Sequence, residues 1–123
     1  DSNKKKLSKS IEIIYGLRNF IGNANKFCSN KVFITLKSNN EFTEVIIEDD
    51  GSGYPNDIIS KIGEPYLKSD SQIYKDKLGL GLGIFIGKTL LEKNFAIINC
   101  RNSESRSGAE VVIKWKNKEL FNI

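Results

Sequence analysis

With 123 residues, 39% of them hydrophobic and 28% charged, the chain has the size and balance of one globular domain, enough for a sheet with helices packed on it. No apolar run approaches the roughly 18 residues a transmembrane helix needs, and the polar start carries no signal-peptide pattern. The histidine count of zero excludes a Ser-His-Asp triad, a His–metal site and imidazole acid–base chemistry within the chain.

Part of the +4 net charge sits in Lys4, Lys5, Lys6 and Lys9, which read as a basic, solvated stub over residues 1–10 ahead of a domain at 11–123. From Lys9 to Cys28, apolar residues recur at Ile14, Leu17, Ile21, Ala24 and Cys28, the stripe of an amphipathic helix. Asn19, Asn23 and Lys26 lie on its other side at i, i+4 and i+7. Residues 31–37 alternate, with Val32, Ile34 and Leu36 on one face; 38–41 read as a turn; 42–49 alternate again. Asp49 continues the apolar face of Val45 and Ile47, so its carboxylate is predicted to be partly buried and to need a partner. Asp50 is predicted to point the other way, with no role assigned.

Residues 51–55 form a loop, 56–62 a short helix, and 63–78, with little pattern and several charges, a lid. A second long helix is predicted from about Leu82 to Lys93, and strands at 95–101 and 109–115 follow, joined by a Ser/Arg/Gly turn. The order predicts an α+β two-layer sandwich, a mixed or mostly antiparallel sheet with helices on one face. Cys28 and Cys100 have neither a CxxC spacing nor a nearby histidine, and read as small core residues rather than metal ligands.

Two glycine-rich segments carry the chemistry: Asp49-Asp50-Gly51-Ser52-Gly53 and Gly79-Leu80-Gly81-Leu82-Gly83. Glycine lets a backbone approach a ligand closely, and a loop opening into a helix offers free N–H groups to phosphate. Two familiar phosphate motifs fail by spacing. A GxxxxGK[ST] loop ending at Gly87-Lys88-Thr89 needs glycine where Leu82 stands. GxGxxG fails at Ile84 when counted from Gly79 and at Ile86 when counted from Gly81.

A helix bearing Asn19 and Asn23, a strand ending at Asp49 before Gly51 and Gly53, and a glycine run before a helix occur here in that order. The combination resembles the N, G1 and G2 boxes shared by gyrase, the Hsp90 chaperones, histidine kinases and MutL, from Ile11 to about Trp115. Gly63-Glu64-Pro65-Tyr66 resembles the F box, with glycine where phenylalanine is usual. Asn23-Ala24-Asn25-Lys26-Phe27 is similar to the NAxKF of sensor histidine kinases. Residues 11–23, 63–66 and 88–92 most resemble the RegB/PrrB redox-responsive group.

The resemblance implies a Bergerat-type ATP-binding fold with ATP and Mg²⁺ as ligands. Asn23 would coordinate Mg²⁺ and Lys26 would reach the phosphates. Asn19 stands where the hydrolysing relatives carry a glutamate base; an amide takes no proton near neutral pH, so the site would keep the γ-phosphate for an outside nucleophile. Asp49 would accept from the adenine amino group and select ATP over GTP, while Gly51 and Gly53 would make room for base and ribose. Gly79, Leu80, Gly81, Leu82 and Gly83 would form the lid end over the triphosphate. Tyr66, and with it Tyr54, would line the adenine side or serve as packing residues; Lys68 and Lys75 lie in the lid.

A histidine kinase phosphorylates a histidine that this chain lacks, so the chain reads as the catalytic domain of a longer protein, not autophosphorylating alone. The implied partners are a histidine-bearing dimerisation domain of the same kinase and a response regulator. The full protein would be a membrane-anchored homodimer that supplies the acceptor and a sensor, and this piece its cytosolic part, a monomer by itself, without nucleic acid. An anti-sigma-type serine kinase, a regulatory ATP-binding module and a gyrase-like ATPase share the fold and are the competing readings.

Overall fold

The computed structural model describes residues 2–55, 59 and 80–120, with side chains from Ser8 and, in the second long helix, from Gly83. Helix α1 spans Ser2–Phe27, strand β1 Val32–Ser38 and strand β2 Phe42–Asp49. Helix α2 spans Leu80–Lys93, strands β3 and β4 span Ile97–Asn102 and Ala109–Lys116, and a last turn of helix, α3, spans Asn117–Leu120. The four strands form one sheet in the order β1-β2-β4-β3, every described pair antiparallel.

The pleat explains the core. Ile47 faces Val111 across the β2–β4 ladder and Val45 faces Ile113, while Ile98 and Cys100 of β3 continue the same face. That face packs against Phe20 and Ala24 of α1 and Ile84 and Leu91 of α2. The opposite face carries charged pairs: Lys114 with Glu44 at 3.5 Å, Arg106 with Glu48 at 3.6 Å, and Arg101 with Glu110. The expected two-layer α+β arrangement holds.

The helix stripe needs correction. Ile14, expected inside, is 55% exposed, whereas Phe20 is 1% exposed. α1 is covered on two sides, by the sheet and by α2, so its buried sector turns toward Gly16, Phe20 and Asn23. The two helices cross closely because each sets a glycine at the contact: a Cβ on Gly16 would lie 2.5 Å from Leu91 Cγ, and one on Gly87 3.1 Å from the Gly16 carbonyl. Lys93 Nζ donates to Glu12 Oε2 at 2.6 Å across the same crossing.

Three further boundaries move. Helix α1 begins at Ser2 rather than about Lys9, so the backbone of the expected stub is helical from residue 2. The second helix begins at Leu80 rather than about Leu82, so Gly81, Leu82 and Gly83 form its first turn instead of a loop. The third strand begins at Ile97, because α2 ends in a left-handed cap: Phe95 has φ 72°, and the N–H of Ala96 donates to the Leu91 carbonyl. The short helix expected at 56–62 and the lid fall largely outside the described residues.

Candidate functional site

The last residue of β2 is the centre of the site. Asp49 is 2% exposed, on the helix-facing side that alternation assigns it. Its Oδ1 accepts the N–H of Gly51 at 2.9 Å and of Ala109 at 3.2 Å. Burial pushes its pKa above the ordinary carboxylate value, those two N–H groups pull it down, and the Asp50 charge pushes it up again. Both donors converge on one oxygen.

The backbone crowds that carboxylate from two sides. A Cβ on Gly51 would stand 2.1 Å from the Phe27 carbonyl oxygen, and one on Gly108 would stand 2.1 Å from the Asp49 carbonyl oxygen. The G1 loop therefore abuts the C-terminal end of α1, one turn beyond Asn23. The β3–β4 turn abuts Asp49 itself.

Asn23 is 6% exposed and its Oδ1 is buried without a hydrogen-bond partner among the described residues. Such an oxygen costs free energy unless a ligand meets it. A hard cation that takes oxygen ligands, such as Mg²⁺, fits that group. Asn19 lies one turn earlier, its Nδ2 donating to the Tyr15 carbonyl at 2.9 Å. A Cβ on Gly83 would be 3.6 Å from Asn19 Oδ1, so this asparagine rests against the first turn of α2. Lys26 is exposed in the last turn of α1.

The fold thus brings Asn19 to Gly83, and Asp49 to Gly51, Gly108 and Ala109. Gly53, with φ 80°, is brought to Asn102. Gly81 and the backbones of Leu80 and Leu82 are helical, and the side chains of these two leucines, with Gly79, Tyr66, Lys68 and Lys75, lie outside what is described. Tyr54 is 3% exposed, a packing position.

Sequence reasoning missed three groups. Asp50, given no role, accepts the N–H groups of Ser29, Asn30 and Lys31 at 2.8–3.2 Å, and those donors hold its carboxyl below its ordinary value. It ties the G1 loop to the α1–β1 connection. Gly108 and Ala109, read only as part of a turn, complete the Asp49 pocket through backbone alone. Asn102 binds the backbone of Tyr54. The Ser107-Gly108 pair opening a strand was a visible signal; an asparagine ending a strand is not.

Arg18, bulky before Asn19, is exposed with its guanidinium 6.0 Å from the Tyr15 ring. Both cysteines are free thiols; burial pushes Cys100 up to about 11, so it stays protonated at neutral pH. Among the described residues no cluster of His, Cys, Asp or Glu could hold a metal ion, and no helix is long and apolar enough to cross a membrane.

Residues 9–119 match the model of the family described as histidine kinase-, DNA gyrase B-, and HSP90-like ATPase. The sensor histidine kinase RegB of Cereibacter sphaeroides is 37% identical over 119 residues, covering 85% of this chain and 26% of that protein. The chain thus spans about a quarter of that relative's length. Among solved structures, a mycobacterial sensor histidine kinase, MprB, superposes with a TM-score of 0.68 at 22% identity, covering 83% of this chain and 70% of that one. Full-length ShkA in complex with AMPPNP superposes at 0.63 with 25% identity, covering 88% of this chain and 21% of that one. A family model matched over residues 9–119 and a RegB relative 37% identical lead to one conclusion: the chain belongs to the histidine kinase-, DNA gyrase B- and HSP90-like ATPase family, as an ATP-binding domain like those of sensor histidine kinases.

Proposed function

We propose that this domain binds Mg-ATP and presents the γ-phosphoryl group to a histidine on a separate dimerisation domain, from which a response regulator is phosphorylated. The observation that carries the reading is the pairing of Asp49 with Asn23: a buried carboxylate with one oxygen already satisfied, and a buried amide oxygen with none.

Asp49 would accept the adenine amino group. GTP offers a carbonyl at that place and would leave the buried acceptor facing another acceptor. Asn23 would hold Mg²⁺, which supplies positive charge shared between phosphate oxygens. Lys26 would add a point charge, and the free N–H groups of the first turn of α2 would face the phosphates across Asn19. Asn19 is an amide that already donates to Tyr15, which supports binding without efficient hydrolysis. With no histidine in the chain, the acceptor is supplied by another domain, and the chemistry is one of positioning and charge stabilisation.

Thermal unfolding with Mg-ATP, Mg-GTP and neither tests the binding. A ligand at 100 times its dissociation constant stabilises by roughly 2.7 kcal/mol, on the order of 10 °C for a domain of this size. The expected result is a rise with ATP, little with GTP, and none in Asp49→Asn. Radiolabelled phosphate transfer to a histidine-bearing helical domain tests the kinase step. Transfer to a serine of a partner protein instead would overturn it.

A further inference from the structure

After Asp49 the chain leaves the sheet, and residues 50–55 run without a neighbouring strand. Asn102, the last residue of β3, supplies what a strand would. Its Oδ1 accepts the N–H of Tyr54 at 2.6 Å, and its Nδ2 donates to the Tyr54 carbonyl at 3.2 Å. One side-chain amide therefore satisfies both polar groups of one residue, a pattern that fixes position and orientation together.

The loop is shaped to reach that amide. Gly53 has φ 80°, and a Cβ there would lie 2.7 Å from Asn102 Oδ1. The backbone of Asn102 is equally placed: its Cα pairs with Ala109, whose N–H donates to Asp49 Oδ1. Asn102 thus sits between the two ends of the loop, joined to Asp49 through its strand neighbour and to Tyr54 through its side chain.

We infer that Asn102 is a positioning residue for the nucleotide base: its amide sets how far the chain at Tyr54 stands from the Asp49 carboxylate. The inference rests on the reading of Asp49 as the adenine acceptor. Without the amide, Asp49 keeps both its N–H donors, but the far wall of the base site loses its anchor. The base then loses the fit that separates adenine from guanine, while the phosphate end is untouched. Asparagine alone meets both groups of Tyr54: aspartate would still accept the N–H but would set its other oxygen against the carbonyl oxygen, and glutamine is one methylene too long.

The test is calorimetric titration of the full chain with Mg-ADP and Mg-GDP, well below the melting temperature of each variant. Asn102→Ala, which loses both hydrogen bonds, is expected to weaken Mg-ADP by about tenfold; the isosteric Asn102→Asp, which keeps the acceptor but sets an oxygen against the Tyr54 carbonyl, is expected to weaken it too, and both are expected to narrow the preference for ADP over GDP. The neighbouring Arg101→Ala, which removes an exposed pair with Glu110, is expected to bind as the parent does. Asn102 variants with the parent's ADP affinity and base preference would overturn the inference. So would a lowered melting temperature with ADP and GDP weakened alike, the mark of a merely structural residue. A parent chain that binds ADP no better than GDP would overturn the reading of Asp49 and the inference with it.

Discussion

At the scale of single residues, the site is assembled from groups that the empty fold does not favour. Asn23 Oδ1 is buried and unsatisfied, a cost of roughly 1–3 kcal/mol for such a group. Asn23→Ala is therefore expected to melt no lower than the parent without nucleotide, and to lose the enhancement of ATP binding by Mg²⁺; calorimetry with and without the metal checks both. Asp49 follows the same logic. Its folded pKa is raised above 3.8, so ionised Asp49 opposes folding at neutral pH, and that penalty fades as pH falls through the raised value. Asp49→Asn should be at least as stable as the parent at pH 7, with the difference closing in acid. Asp50 has the opposite sign. Its folded pKa is depressed below 3.8, so its contribution is complete above the unfolded value and is lost as pH falls through the folded one. Denaturant midpoints against pH should show Asp50→Asn less stable than the parent at pH 7 and equal to it in strong acid.

At the scale of elements, local pattern and tertiary contact divide the work. The two hairpin strands and β4 alternate so clearly that their faces are legible in the sequence, and Asp49 stands out as the one charge on an apolar face. The helix α1 was legible as a helix but not in its rotation, because a stripe of Ile14, Leu17 and Ile21 does not reveal that α2 covers the side of Gly16 and Phe20. The start of α2 was obscured by its glycines, which signal a loop unless the packing of Asn19 against Gly83 is known. Partners that act through backbone, such as Ala109, or by reaching 48 residues along the chain, as Asn102 reaches Tyr54, leave no local mark. The cap of α2 gives a prediction at this scale. Phe95, 59% exposed, occupies a left-handed position that glycine favours, and Lys9 Nζ lies 5.3 Å from its ring centroid. Phe95→Gly is expected to stabilise the chain by roughly 0.5–1 kcal/mol, since relief of about 1–2 kcal/mol of strain exceeds an exposed cation–π contact. A rise of a few degrees in melting temperature would register it.

At the scale of the whole molecule, the sheet keeps two functions on two sides. The helix-facing side holds the core and, at its edge, Asp49; the other side holds the charged ladder in which Ser103 Oγ donates to Glu48 Oε2 at 2.8 Å. The single tryptophan, Trp115, is 2% exposed in the core, so its fluorescence should report the unfolding of the whole domain. Fluorescence and far-ultraviolet circular dichroism are expected to give coincident transitions, moved together by Mg-ATP. Glu48 and Asp49 are adjacent carboxylates sent to opposite sides by the pleat, and both fasten the same β3–β4 corner, one through Ser103 and one through Ala109. The tolerance of the gene to insertions follows. An extra codon in the turn at 39–41 lengthens an exposed connection and disturbs the hydrogen bonds of Asn39 to Glu41 and Phe42, but leaves the faces of β2 unchanged. One extra codon within β2 would exchange the two carboxylates between faces, removing the proposed base acceptor and burying the wrong acid, whereas two extra codons would restore the alternation.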